Sequence, residues 1–172
     1  MKFPVTSHGA RMRLLEMFCA ALAILLAVVP LSGRESCHDN VWAEAADRSR
    51  LLLYAKHPAT WKIVAGGARA EILFERSSGC YAIRAVGLVA NTRYVLARVD
   101  SASRSGELLG MATTDRQGNL HFSGRWHHWC GRFWLVTDAD IRALPLPAPV
   151  GARLQLKAWH PSAYLFESEV LR

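Results

Sequence analysis

Hydrophobic and polar residues alternate with a period of two along most of the chain after residue 56. Ala70, Ile72 and Phe74 alternate with Glu71 and Glu75, which places the apolar side chains on one face of an extended strand. The same alternation recurs over 81–85, 120–124 and 153–158. Turn residues separate these stretches at intervals of about ten residues, so the pattern predicts about eight or nine short β-strands.

One of these strands is apolar on both faces. Tyr94 and Leu96 lie on one face and Val95 and Ala97 on the other, as expected for a central strand. Tyr94 also opens the strand directly after a tight corner at 87–92. A tyrosine there typically forms a hydrogen bond through its hydroxyl with backbone a few residues upstream, at the corner of a β-sandwich. We therefore predict an all-β, antiparallel, immunoglobulin-like sandwich in which Tyr94 is a structural corner residue.

The N-terminal part of the chain follows a different pattern. Lys2, Arg11 and Arg13 precede an apolar run over 17–29, which is the layout of a secretory signal. The run is shorter than the roughly 20 apolar residues that span a bilayer. We predict a signal peptide over residues 1–33, with an uncleaved anchor helix as the alternative.

The predicted domain organisation has two further parts. Residues 34–55 are interpreted as a leader, in which 44–54 forms either a short helix or an edge strand. Residues 56–172 are interpreted as the β-sandwich domain. The protein is then expected to be secreted or periplasmic.

The charge of the chain is basic but scattered. The formal net charge is +7, from 21 Lys and Arg against 14 Asp and Glu. The basic residues are spread along the predicted strands, which favours solubility and a weak preference for anions. Since no basic block or basic helix occurs, nucleic acid is not an expected partner.

The cysteines predict one disulfide. Cys19 lies in the predicted signal, which leaves Cys37, Cys80 and Cys130. An oxidising compartment favours pairing. Cys80 and Cys130 both open predicted strands, so we predict that these two pair and that Cys37 is free or intermolecular. The alternative is that all three are reduced and buried.

The segment 125–134 has the most unusual composition in the chain, and three interpretations are open. In the first, its tryptophans close the core. In the second, an exposed aromatic platform binds a carbohydrate or a small ligand. The residues of that platform would be Trp126, Trp129 and Trp134 with Arg125.

The third interpretation of this segment is a metal site. Its weak candidate ligands are His127, His128 and Cys130, with His121 or His160 as a further ligand. Adjacent histidines on a strand point to opposite faces, and no metal-ligand spacing is present. We therefore expect neither a metal nor another cofactor.

Asp138 and Asp140 form a possible carboxylate pair two residues apart. Calcium needs about six to eight oxygen ligands, so the pair is interpreted as a polar strand end. The chain also lacks the Gly-x-Ser-x-Gly nucleophile motif and phosphate-binding glycine loops. We therefore expect no enzyme and no catalytic residue.

A series of ordered landmarks resembles an uncharacterised family of exported archaeal and bacterial β-sandwich proteins. The landmarks are 61–64, 70–74, the Tyr94 corner, 109–110, 118–124, 133–136 and 161–167. The resemblance covers roughly residues 56–171, and the corner itself is similar to that of fibronectin type III and other immunoglobulin-like domains. It implies an exported β-sandwich and no catalytic residues. The chain departs from the family where Asp100 is followed by Ser101, Ala102 and Ser103 instead of prolines.

These observations together predict an exported, non-enzymatic module with a structural, adhesive or protein-interacting role. The alternative is a carbohydrate-binding or small-ligand-binding module that uses the aromatic platform. The expected partner is a protein or a glycan of the cell envelope. Membrane contact is expected only through the N-terminal segment, if that segment is retained.

Overall fold

A computed structural model describes residue 37 and residues 48–100, 105–143 and 149–172. The predicted signal peptide and all of residues 34–47 except residue 37 lie outside this part. The strands are β1 Arg48–Tyr54, β2 Arg69–Glu75, β3 Cys80–Val86, β4 Arg93–Val99, β5 Ser105–Thr113, β6 Leu120–Arg125, β7 Arg132–Thr137, β8 Ile141–Ala143, β9 Arg153–Leu156 and β10 Leu165–Glu167. Two single-turn 3-10 helices are Asp138–Asp140 and Pro161–Ala163.

All ten strands belong to one antiparallel sheet, which confirms the all-β prediction. The strand order is β6-β3-β2-β1-β10-β7-β4-β5-β9-β8. The sheet curls into a half-barrel, and β5 and β6 approach each other without pairing. Because one continuous ladder joins every strand, two separate sandwich sheets are not confirmed.

β1 corrects the prediction for the leader. Leu51 pairs with Ile72 of β2, and Leu53 pairs with Ala70 of β2 and with Glu167 of β10. β1 lies between β2 and β10, inside the sheet. The predictions of a short helix or an edge strand over 44–54 are therefore wrong for Arg48–Tyr54. The sheet also begins before residue 56, where the predicted domain starts. Leu51 and Leu53 are buried while Leu52 is half-buried, a period-two pattern that a run of apolar residues conceals.

The buried side chains form two main clusters on opposite faces of the central strands. The larger cluster contains Leu96 of β4 and Leu135 of β7, with Ile72 and Phe74 of β2. The second cluster contains the alternate residues of the same central strands and the apolar residues of β8 and β9. Its members are Val95, Ala97, Val99, Leu108, Val136, Ile141, Leu154, Leu156, Tyr164 and Phe166. The prediction that the Tyr94 strand is central and buried on both faces is therefore confirmed.

The hydrogen bond expected of Tyr94 at the corner is present. The Val89 N–H donates to the Tyr94 hydroxyl at 3.3 Å, five residues upstream, and Asn91 turns the chain with φ +51°. The 114–119 hairpin packs against this corner. Gly118 has φ +77°, and a Cβ there would lie 2.1 Å from the Leu88 carbonyl oxygen, so only glycine fits.

The disulfide differs from the predicted pairing. Cys37 is bonded to Cys80, and Cys130 is a free, exposed thiol, so the predicted Cys80–Cys130 bond is wrong. Cys80 opens β3 opposite Arg125 of β6, whereas the Cys130 carbonyl oxygen accepts a hydrogen bond from Arg98 Nε of β4 at 2.8 Å. Cys80 therefore lies at the β3–β6 end of the sheet, whereas Cys130 lies beside β4. A structural disulfide indicates an oxidising extracellular or periplasmic environment.

Candidate functional site

The tryptophans of the segment 125–134 do not form one surface. Trp126 and Trp129 are only 8% and 1% exposed. Trp129 is stacked between Phe74 and Phe133, with ring centroids 4.2 and 5.1 Å away. Trp134 belongs to the opposite cluster. The platform predicted from Trp126, Trp129 and Trp134 is therefore absent, because two of the rings fill the interior of the sheet.

Arg125, the fourth residue of the predicted platform, is exposed on β6. Its Nη2 lies 3.9 Å from the Cys80 sulfur, next to the disulfide. It therefore lies beside the disulfide instead of beside an exposed tryptophan face.

The candidate metal ligands are dispersed. His127 lies over Gly79, where an added Cβ would come within 2.6 Å of the imidazole. Cys130 lies beside Arg98, with Arg98 Nη2 3.8 Å from its sulfur, and His160 contacts Asp140. Among the residues that the structure describes, no three His, Cys, Asp or Glu side chains are grouped as metal ligands.

The two carboxylates at 138 and 140 have different environments. Asp138 accepts a hydrogen bond from Arg93 Nε at 2.8 Å. Asp140 is buried and accepts hydrogen bonds from Thr137 Oγ1 at 2.6 Å, Tyr164 Oη at 2.7 Å and, at 2.8 Å, His160 Nδ1. The pair does not form a shared oxygen site.

Asp140 anchors the segment that follows β9. Burial by itself raises the pKa of this carboxyl, but the hydrogen bonds from Thr137, Tyr164 and His160 outweigh burial and hold the pKa below its usual range. Burial, with a contribution from Asp140, raises the pKa of Tyr164, which remains a neutral donor. The network therefore holds a carboxylate in place at the end of β7.

An open cleft of about 530 Å³ lies where β4, β5, β7 and β9 come together, and it is the best candidate for a binding site. It is lined by positive and negative side chains and by Val99 and Val170. The polar lining residues are Arg98, Asp100, Ser105, Glu107, Arg132 and Arg153.

Sheet register brings three of these charges into one row. Arg98 of β4 pairs with Glu107 of β5, and Glu107 pairs with Arg153 of β9. Arg98 Nη1 lies 3.0 Å from the Glu107 carboxylate. The row is therefore a carboxylate between two guanidinium groups on adjacent strands.

Arg132, the third arginine that lines the cleft beside this row, forms an ion pair with a residue of β10. Arg132 Nη1 lies 3.3 Å from Glu167 Oε1. Burial raises the pKa of Glu167, with the positive charge of Arg132 acting in the opposite direction. Arg153 forms no ion pair with any other described residue, so its charge is available to a ligand.

The sequence gives little indication of this cleft. Arg98, Glu107, Arg132 and Arg153 are far apart along the chain and match no motif. Only the strand order places β9 beside β5 and β7 beside β4. The spacing of these arginines in the sequence predicts only solvated side chains on separate strands, because it does not show that the side chains converge.

No family model, curated protein or solved structure matches the chain. The interpretation of the cleft therefore rests on its own geometry. Within 48–100, 105–143 and 149–172, no helix has the length and apolar character needed to cross a membrane.

Proposed function

We propose that the chain is an exported, non-enzymatic β-module with an adhesive role that binds an acidic saccharide of the cell envelope. The observation that carries this proposal is the row Arg98–Glu107–Arg153 at the edge of a cleft of about 530 Å³. Guanidinium groups bind carboxylates through two parallel hydrogen bonds, so Arg153 supplies the contact with the acidic group.

The other cleft residues suit the hydroxyl groups of a sugar. Glu107 and Asp100 accept hydrogen bonds, while Ser105 both donates and accepts. Val170, which is 46% exposed, supplies an apolar surface for a ring face. This set of donors, acceptors and apolar contacts favours a charged sugar over a simple inorganic anion.

Export is supported by two independent features. The Cys37–Cys80 disulfide fits an oxidising compartment, and the basic and apolar layout of residues 1–33 fits a signal peptide. The similarity of the Tyr94 corner to immunoglobulin-like domains fits a module that presents its loops to partners. We therefore place the protein in the periplasm or outside the cell.

The test is calorimetric titration with methyl glucuronide and, as a neutral match, methyl glucoside. We expect the glucuronide to bind more tightly, and Arg153→Gln to weaken its binding by about tenfold, because one charged hydrogen-bonding group is lost. Arg116→Gln removes the same charge from the exposed 114–119 loop and serves as the control. Equal binding of the two sugars, or equal effects of the two variants, would overturn the proposal.

A further inference from the structure

We propose that the loop between β1 and β2, residues 55–68, seats the protein on an anionic lipid surface. Three large apolar side chains project from this loop: Trp61, Ile63 and Val64 are 49%, 50% and 41% exposed. Single exposed apolar residues are common, but a group of them on one loop indicates a surface that contacts a membrane or another molecule.

The loop is held in shape by its own hydrogen bonds. The Trp61 N–H donates to the His57 carbonyl at 2.8 Å, and the His57 N–H donates to the Lys62 carbonyl at 2.8 Å. At its base, the Val64 N–H donates to the Ala55 carbonyl at 2.9 Å. Docking through this loop therefore costs little ordering entropy.

Trp61 is fixed by its backbone and by its ring. Its φ of +56° is unusual for a bulky residue, and such a conformation persists only where the surroundings impose it. Its ring meets Phe166 edge to face, with centroids 5.0 Å apart, and lies 6.3 Å from Trp159. The Trp61 ring thus packs against Phe166 and Trp159, while about half of the Trp61 side chain remains exposed to solvent.

The charge of the loop identifies the surface that it fits. The loop, residues 55–68, contains Lys56 and Lys62 and no Asp or Glu, although the whole chain has 14 acidic residues. Lys56 Nζ donates to the Glu167 backbone carbonyl at 2.8 Å, and Lys62 lies between Trp61 and Ile63 in the sequence. Tryptophan favours the region between lipid headgroups and acyl chains, and lysine stems can lie along apolar surface with their charge at the headgroups. The exposed side chains of Trp61, Ile63 and Val64, on a loop with lysines and no acidic residue, therefore match an anionic bilayer.

A protein partner fits the loop less well. Stable protein interfaces bury roughly 800 Å² on each partner and place a polar rim of both charges around an apolar centre. The side chains of Trp61, Ile63 and Val64 supply only part of such an area, and the charged residues of the loop are all positive. Shallow insertion into a lipid surface needs no larger area.

The test is partition of the full chain onto vesicles of equal parts phosphatidylglycerol and phosphatidylcholine, compared with phosphatidylcholine alone. We expect Ile63→Asp and Lys62→Glu each to lower partition onto the anionic vesicles by about fivefold or more. Val150→Asp is the matched control, because Val150 is 51% exposed on the loop before β9. All variants share the same N-terminal segment, so its contribution cancels.

A local measurement separates this loop from the rest of the chain. Brominated acyl chains in the anionic vesicles should quench the tryptophan emission, and Trp61→Phe should remove most of that quenching. Equal partition of Ile63→Asp and Val150→Asp would overturn the proposal. Crosslinking of residue 61 to an envelope protein, without quenching by brominated lipid, would also overturn it and would assign the loop to a protein partner.

Discussion

The Tyr94 hydroxyl is the acceptor that closes the corner between β3 and β4, through the Val89 N–H. Tyr94→Phe removes this acceptor and leaves a backbone donor without its partner. We expect the free energy of unfolding to fall by about 1 kcal/mol. The measurement is urea denaturation followed by tryptophan fluorescence, in which the midpoint moves and the slope does not.

Tyr54→Phe provides the control for this prediction. Tyr54 is half-buried on β1, and its hydroxyl forms no hydrogen bond with another described residue. Its loss should change the midpoint little. An equal loss in both variants would show that the corner hydrogen bond contributes nothing measurable.

Asp140 gives a prediction for the dependence of stability on pH. The hydrogen bonds from Thr137, Tyr164 and His160 outweigh burial and lower the pKa of Asp140 in the folded state. Folding therefore favours the ionised carboxylate of Asp140. The resulting stability is present above the unfolded pKa of about 3.9 and is lost as the pH falls through the lower, folded pKa. Asp140→Asn lacks this contribution.

We therefore expect the stability gap between wild type and Asp140→Asn to narrow as the pH falls from about 5 to about 2. Chemical denaturation of both proteins across this range measures the gap directly. A gap that stays constant with pH would show that the carboxylate charge has no part in holding the segment after β9.

At the scale of elements, the disulfide ties the segment before β1 to the start of β3. It joins residues 43 positions apart, so it restricts a long loop of the unfolded chain. We expect Cys80→Ser to lower the free energy of unfolding by about 2–4 kcal/mol. Cys130→Ser, which removes an exposed free thiol, should change it by less than about 0.5 kcal/mol.

Thermal and urea unfolding of these two variants measure the difference. Equal losses in the two variants would favour the Cys80–Cys130 pairing, because either substitution would then break the bond. Reductant should destabilise wild type and leave Cys80→Ser unchanged.

Strands whose apolar residues alternate strictly are visible in the sequence. The alternation predicts β2, β3, β6 and β9, and the two apolar faces predict β4. β1 was missed because Leu51, Leu52, Leu53 and Tyr54 are all apolar, which conceals the alternation.

Contacts between distant strands were much harder to predict. The disulfide and the cleft both depend on which strands are neighbours, and loop spacing carries no information on that point. The composition of the segment 125–134 predicts a candidate site, yet Trp126 and Trp129 are core residues. The charged row was overlooked because arginines on separate strands look solvated until register aligns them.

At the scale of the whole molecule, one curled sheet supplies two separate surfaces. The cleft is lined by residues of β4, β5, β7 and β9, and the basic apolar loop joins β1 to β2. The two share no lining residue. The proposed saccharide site and the proposed lipid-binding loop are therefore formed by different residues and can be tested by separate substitutions.

The cleft lined by Arg98, Glu107 and Arg153 is the proposed site for an acidic saccharide. The most direct measurement is chemical-shift mapping of a ¹⁵N-labelled sample during titration with methyl glucuronide. We expect the largest changes at the amides of Glu107 and Arg153 and at the Arg98 side chain. Changes centred on His127 and His128, or on Trp61, with the cleft signals unmoved, would contradict this proposal.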